Sequence, residues 1–90
     1  MKTTKKRLYE SFDETRPFGQ KICAGYIKYE TPDDTWYNCY AYYYKDIAGH
    51  KTKMEMRSEI TRRDIDDVKN CCLELIDDCN HDIMRNIKNV

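Results

Sequence analysis

The residues whose types could do chemistry are the thiols and imidazoles near the end of the chain. Cys71 and Cys72 are adjacent, Cys79 lies seven positions after Cys72, and His81 two beyond that. Thiolate and imidazole are the ligands zinc takes, but structural zinc sites draw on close pairs such as Cys-x2-Cys set on turns. Cys72 and Cys79 would instead fall about two turns, roughly 10 Å, apart along one helix. Both also fit that helix's apolar stripe, so they are expected in the core, with no metal and no cofactor bound. A thiol nucleophile would need His50 or His81 as its base, and His50 falls in a turn sequence, where a histidine is ordinarily solvated. Gly19, Gly25 and Gly49 are scattered, and none precedes a Gly-Lys-Ser/Thr run, so no phosphate-binding loop is present. The expectation is a protein that is not an enzyme.

The elements that would position these side chains follow from periodicity. Lys51 to Ile60 alternates strictly, with Thr52, Met54, Met56, Ser58 and Ile60 on one side and Lys51, Lys53, Glu55, Arg57 and Glu59 on the other. That is the pattern of a half-buried antiparallel strand. Trp36 to Lys45 is rich in aromatics and free of Gly and Pro, which predicts a second strand. Asp46 and Gly49 between them suit the first and last places of a type I turn, making a hairpin. Lys21 to Glu30 predicts a third strand, weakened by Gly25 and closed by the turn residues Thr31 to Asp34.

Beyond Ile60 the period becomes helical. Thr61 is placed as N-cap, Asp64 takes the capping-box position, and Ile60 and Ile65 form a hydrophobic staple. Val68, Cys72, Leu75, Ile76, Cys79 and Ile83 then recur at spacings of three and four, so a helix is predicted over residues 62–88. Asn80-His81-Asp82 is a candidate break. In the first twenty residues Leu8, Tyr9 and Phe12 suggest a short helix within Lys5 to Asp13, with an extended arm as the alternative. The predicted fold is a single α+β domain over residues 1–90: a three-stranded antiparallel sheet over 21–60 packed by one long C-terminal helix. This β-β-β-α order, with an optional leading helix, resembles that of double-stranded-RNA-binding domains. It is also similar to the AP2-like and integrase arm-binding domains, which read DNA with the sheet. The resemblance is of element order. At the helix start, where the RNA-binding family presents lysines to phosphate, this chain has Arg62-Arg63-Asp64-Ile65-Asp66-Asp67.

Sixteen Lys and Arg balance sixteen Asp and Glu in 90 residues, so no global basic field steers the chain toward nucleic acid or anionic membrane. The balance hides a gradient. Residues 1–28 hold seven cations against three acids and residues 64–90 seven acids against three cations. The two ends are expected to pair across the fold. No apolar run approaches a membrane span, and five cysteines without a secretory signal are expected as free thiols in a reducing compartment, hence a cytoplasmic location. Abundant Lys, Ile and Tyr suggest an AT-rich genome such as that of many phages.

The meaning of the tyrosines turns on hairpin register. With a three-residue loop pairing Asp46 and His50, Trp36, Tyr40, Tyr42 and Tyr44 share the face of Met54 and Met56 and become core, while Tyr37 and Tyr43 face outward beside Lys53 and Arg57. With a four-residue loop the same four aromatics join Lys51, Lys53 and Glu55 outside, as a stacking platform for single-stranded nucleic acid or a protein hot spot. Burial favours the first arrangement.

The expected function is a small binding protein that docks on a macromolecular partner and inhibits or modulates it, the class that includes phage-encoded inhibitors of host defence such as anti-CRISPR proteins. The expected binding residues are Tyr37, Tyr43, Lys53 and Arg57 on the sheet and Asp66, Asp67, Glu74, Asp77 and Asp78 on the helix. The acidic set would suit the basic channel of a nucleic-acid-binding enzyme of the host. The alternatives are a nucleic-acid-binding domain that uses its sheet face and basic N-terminal arm, and a small structural or assembly subunit.

Overall fold

The computed structural model of the chain describes residues 1–16, 20–58 and 61–88, with side chains as far as Arg85. Strands β1 (Lys2–Phe12), β2 (Lys21–Glu30), β3 (Thr35–Ile47) and β4 (His50–Arg57) form one antiparallel sheet in the order β1-β2-β3-β4, and helix α1 (Ile65–Lys88) packs on one face. The α+β architecture and the C-terminal helix are as expected. The sheet, however, has four strands rather than three, because residues 2–12 are neither arm nor helix. A β-bulge hides this strand from its alternation. Arg7 pairs with Gly25 and Tyr9 with Ala24, which leaves Leu8 as the extra residue. Consecutive Leu8 and Tyr9 therefore both pack against the core, and the period of two is lost where the sequence is most apolar.

The β3–β4 connection is tighter than the expected turn. Ile47 pairs with His50 around Ala48 and Gly49, whose φ values are 53° and 82°. Two positive φ angles are what a type I′ hairpin requires. This register sets Tyr42 opposite Glu55 and Tyr43 opposite Met54, so the helix covers Tyr37, Cys39, Ala41 and Tyr43, and the even-numbered aromatics lie on the other face. The expected burial of Trp36, Tyr40, Tyr42 and Tyr44 beneath the helix is thus reversed.

Side-chain volume explains the reversal. The packed layer consists of Ile22, Ala24, Cys39, Ala41 and Tyr43 from the sheet against Val68, Cys71, Cys72, Leu75, Ile76, Cys79 and Ile83 from the helix. Small Ala24, Cys39 and Ala41 let the helix approach closely beside the ring of Tyr43, which a row of three tyrosines and a tryptophan would prevent. Leu75 is in this core, as expected, at 8% exposure.

The helix begins at Ile65, three residues later than predicted. Arg62 is held extended by a two-bond bridge to Tyr37, at 2.7 and 2.8 Å, so Thr61 cannot cap. Asp64 is the N-cap: its side chain accepts from the Asp66 N–H at 2.7 Å and its carbonyl from Val68 N–H at 3.1 Å. Ile65 is 39% exposed, and its expected staple partner Ile60 lies outside the described residues. The candidate break at Asn80-His81-Asp82 does not interrupt α1. Asn80 accepts from the buried Arg16 guanidinium at 2.8 Å and Asp82 accepts from the Tyr43 hydroxyl, so both side chains are engaged away from their own backbone.

Candidate functional site

The face of the sheet away from α1 carries a row of aromatic rings along β3. Tyr40 and Tyr42 stack with centroids 6.0 Å apart, Tyr42 meets Tyr44 edge to face at 6.0 Å, and Trp36 stacks on Tyr29 of β2 at 5.6 Å. They share this face because alternate residues of one strand point the same way. Neighbouring strands place a cation over three of the rings. Lys5 Nζ from β1 is 4.6 Å from the Tyr40 centroid, Lys53 from β4 is 4.3 Å from that of Tyr42, and Lys51 is 5.0 Å from that of Tyr44. Each is within cation–π range.

Exposure is graded along the row. Tyr40 is 2% exposed, closed over by Lys5, whereas Tyr44 is 42% exposed. Burial raises the phenol pKa of Tyr40 and of Tyr42. By pairing and alternation this face holds Lys5, Arg7, Lys21, Lys51, Lys53 and Arg57 against Glu10, Asp46 and Glu55. Glu10 is neutralised locally by Lys21 at 3.1 Å and Arg7 at 3.9 Å, and the Lys21 ammonium holds its carboxyl below the usual range. Arg57 pairs with Glu55 at 3.7 Å. The face is therefore basic although the chain is neutral.

Of the expected binding residues, Lys53 and Arg57 lie on this face. Tyr37 and Tyr43 do not. Tyr43 is 1% exposed under the helix, donating to Asp82, and its phenol is raised by burial and by that carboxylate. Tyr37 is half-buried on the helix side, edge to face with Tyr26 at 5.2 Å. Asp66, Asp67, Glu74, Asp77 and Asp78 are all exposed and share one stripe of α1, so the acidic surface is on the opposite side of the molecule from the aromatic row. Among the described residues no ion pair joins the two ends of the chain, contrary to the expectation: Arg7 and Lys21 pair with Glu10 and Lys28 pairs with Glu30, while Arg85 pairs with Asp82 within α1.

The five cysteines are free and buried. Cys39 approaches Cys71 and Cys72 across the sheet–helix interface, and contact with Cys72 together with burial raises the Cys39 thiol. Cys72 donates to the Gly25 carbonyl at 3.3 Å, and burial pushes Cys79 up to about 11. Burial raises Cys71 also, whereas the contact with Cys39 lowers the Cys72 thiol; the raised thiols are poorly suited to nucleophilic work, which needs the thiolate. His50 and His81 are exposed, at the hairpin and on the helix. Among the described residues no group of three His, Cys, Asp or Glu is placed to hold a metal, and no helix is long and apolar enough to cross a membrane.

Trp36, Tyr40, Tyr42, Tyr44 and Lys5 were not among the expected binding residues. The available signal was the parity of the hairpin: a two-residue Ala-Gly loop puts the aromatics beside Lys51 and Lys53, as the four-residue alternative also would. Comparison with known protein families, with curated proteins and with solved structures found no match.

Proposed function

We propose that the chain binds single-stranded nucleic acid on the open face of its sheet. The observation that carries this reading is the repeated pairing of a lysine with a tyrosine ring, at Tyr40, Tyr42 and Tyr44. A π-face stacks on any base, and an ammonium beside it meets the phosphate that follows, which is the combination sequence-tolerant single-strand binding requires. In the free protein each lysine covers the ring face that a base would take. Binding then exchanges a cation–π contact for base stacking and frees the ammonium for phosphate. Zero net charge does not oppose this, because the helix acids lie beyond the sheet, at a distance on the order of the roughly 10 Å Debye length in 0.1 M salt.

Fluorescence anisotropy of a labelled oligothymidylate, repeated across salt concentrations, tests the proposal. Changing Lys5, Lys51 and Lys53 together to Gln should lower the slope of log affinity against log salt by about 2, at roughly 0.7 per phosphate contact. Tyr42→Ala and Tyr44→Ala should each cost about 1–3 kcal/mol of affinity. An oligonucleotide that fails to bind at low salt overturns the reading.

A second reading, docking of the acidic stripe of α1 on a basic protein surface to inhibit it, is favoured by the absence of N-terminal cations from that stripe among the described residues. A basic partner would relieve the repulsion between Asp66, Asp67, Glu74, Asp77 and Asp78. A phage-encoded inhibitor of a host nucleic-acid-binding enzyme is the form this reading takes.

A further inference from the structure

Where β1 and β2 meet the β3–β4 hairpin, the open face deepens into a depression of about 640 Å³. That is within the size of small-ligand sites. Tyr42, Tyr44, Cys23, Arg7, Lys21 and Lys51 are among the residues that line it. Arg7 Nη1 stands 3.9 Å from Cys23 Sγ, and contacts with the Tyr42 hydroxyl and that thiol raise the guanidinium further. Lys45 lines it as well, and Glu10 and Asp46 are its acids, so four cations face two carboxylates there; a phosphate would share Lys21 and Arg7 with Glu10, which stands 3.1 and 3.9 Å from them.

Gln20, at the edge, supplies a second observation. Its Nε2 donates to the Tyr44 carbonyl at 3.2 Å, while its Oε1 is shielded from water and accepts from nothing among the described residues. An acceptor left without a donor is costly, and a small rotation of this amide would offer it to a ligand amino group. The depression thus brings together an excess of cations for an anion, the part-exposed Tyr44 ring, whose face a planar group would take in exchange for Lys51, and an acceptor lacking its donor.

We infer that this depression takes a nucleoside monophosphate carrying an exocyclic amino group, with the phosphate among Arg7, Lys21 and Lys51 and the base against Tyr44. The inference rests on the open-face reading for the stacking role of Tyr44 and adds a defined end to it. The same chemistry is presented by a free nucleotide and by the 5′-phosphorylated end of a strand.

Two oligonucleotides of one sequence beginning with adenosine, with and without a 5′-phosphate, separate these sources when titrated beside adenosine monophosphate and inorganic phosphate. Readouts are anisotropy and the backbone amide shifts of Gln20 and Tyr44. The 5′-phosphate should tighten binding about tenfold, and Lys21→Gln should abolish that preference. A preference for the phosphorylated end with no shift by the free nucleotide supports the strand end as ligand; shifts by adenosine monophosphate without an end preference support the free nucleotide. Equal affinity for both strands with no shift by the nucleotide overturns the inference and leaves open-face binding standing. Shifts by the nucleotide with neither strand bound overturn open-face strand binding and keep this site. Inorganic phosphate reproducing the nucleotide's shifts at equal concentration reduces it to an anion site and overturns the inference.

Discussion

Tyr40 lies directly across the ladder from Gly25, and its hydroxyl stands 2.8 Å from where a Cβ on residue 25 would be. The ring fills the space that glycine leaves open, which is how cross-strand aromatics rescue glycine in a sheet. The same Cβ would meet the Lys6 carbonyl oxygen at 2.1 Å and Arg7 Cα at 2.8 Å. Gly25 therefore permits the close approach of β1 at its bulge as well as the lie of the aromatic row.

Gly25→Ala is expected to destabilise the domain by about 3 kcal/mol, the upper end of overpacking costs. Two of the three clashes are with backbone, so side-chain rotation cannot relieve them. Urea unfolding of the two proteins measures the difference, and a change under about 0.5 kcal/mol, the scale of neutral surface substitutions, would show that β1 is not held against β2 at this point.

The hairpin makes the opposite kind of prediction. Ala48 has φ 53°, a region costing an L-residue with a Cβ roughly 1–2 kcal/mol. Asn tolerates it better and is the preferred first residue of a two-residue loop. Ala48→Asn should raise stability by about 0.5–1 kcal/mol, read as a higher denaturation midpoint at unchanged slope. Destabilisation would mean that the loop is not of this type.

What the sequence disclosed and what it hid divide along physical lines. β4 and the stripe from Val68 to Ile83 were legible because each keeps a single period against a single neighbour. β1 was not, because the bulge at Leu8 interrupts alternation at its apolar residues. The face of the tyrosines was misplaced for a different reason. Weighing apolar area alone favours burying four large rings under the helix, yet Tyr40 is withdrawn from water on the other face, by Gly25, Lys5 and Tyr42, with no helix above it. Small Ala24, Cys39 and Ala41 were the residues that marked the helix side. Lys53 and Arg57 were legible as outward-facing because Met54 and Met56 fixed the inward face of β4 independently of the loop.

Tyr43 and Asp82 tie the core to the helix and give acid stability a specific component. The Tyr43 hydroxyl, then the Arg85 guanidinium, hold the Asp82 carboxyl below its ordinary value. A carboxyl depressed on folding contributes stability that is full above its unfolded pKa of about 3.9 and is lost as pH falls through the lowered value. Tyr43→Phe should therefore cost about 1–2 kcal/mol at pH 7, and the difference from the parent protein should shrink as pH falls below 4. Denaturant unfolding at a series of pH values reads this directly, and a difference independent of pH would assign the effect to packing rather than to the hydrogen bond.

The acidic stripe decides between the two functional readings. Changing Asp66, Asp67, Glu74, Asp77 and Asp78 to Asn or Gln removes five negative charges from α1 and none from the open face. If the sheet binds nucleic acid, oligonucleotide affinity should hold or rise by a few fold, since the long-range field becomes more positive while every contacting lysine and tyrosine is kept. The rise should fade above about 0.15 M salt, where the Debye length shrinks below roughly 8 Å. If the helix instead docks on a basic protein, these changes should abolish capture of that protein from a lysate treated with nuclease and leave the oligonucleotide result untouched. Asp66 and Asp67 lie in the first turn of α1, where carboxylates favour the helix by about 0.3–1 kcal/mol each. A parallel set keeping those two acids, with only Glu74, Asp77 and Asp78 changed, separates loss of partner from loss of helix: docking should weaken in this set too, with the thermal midpoint preserved.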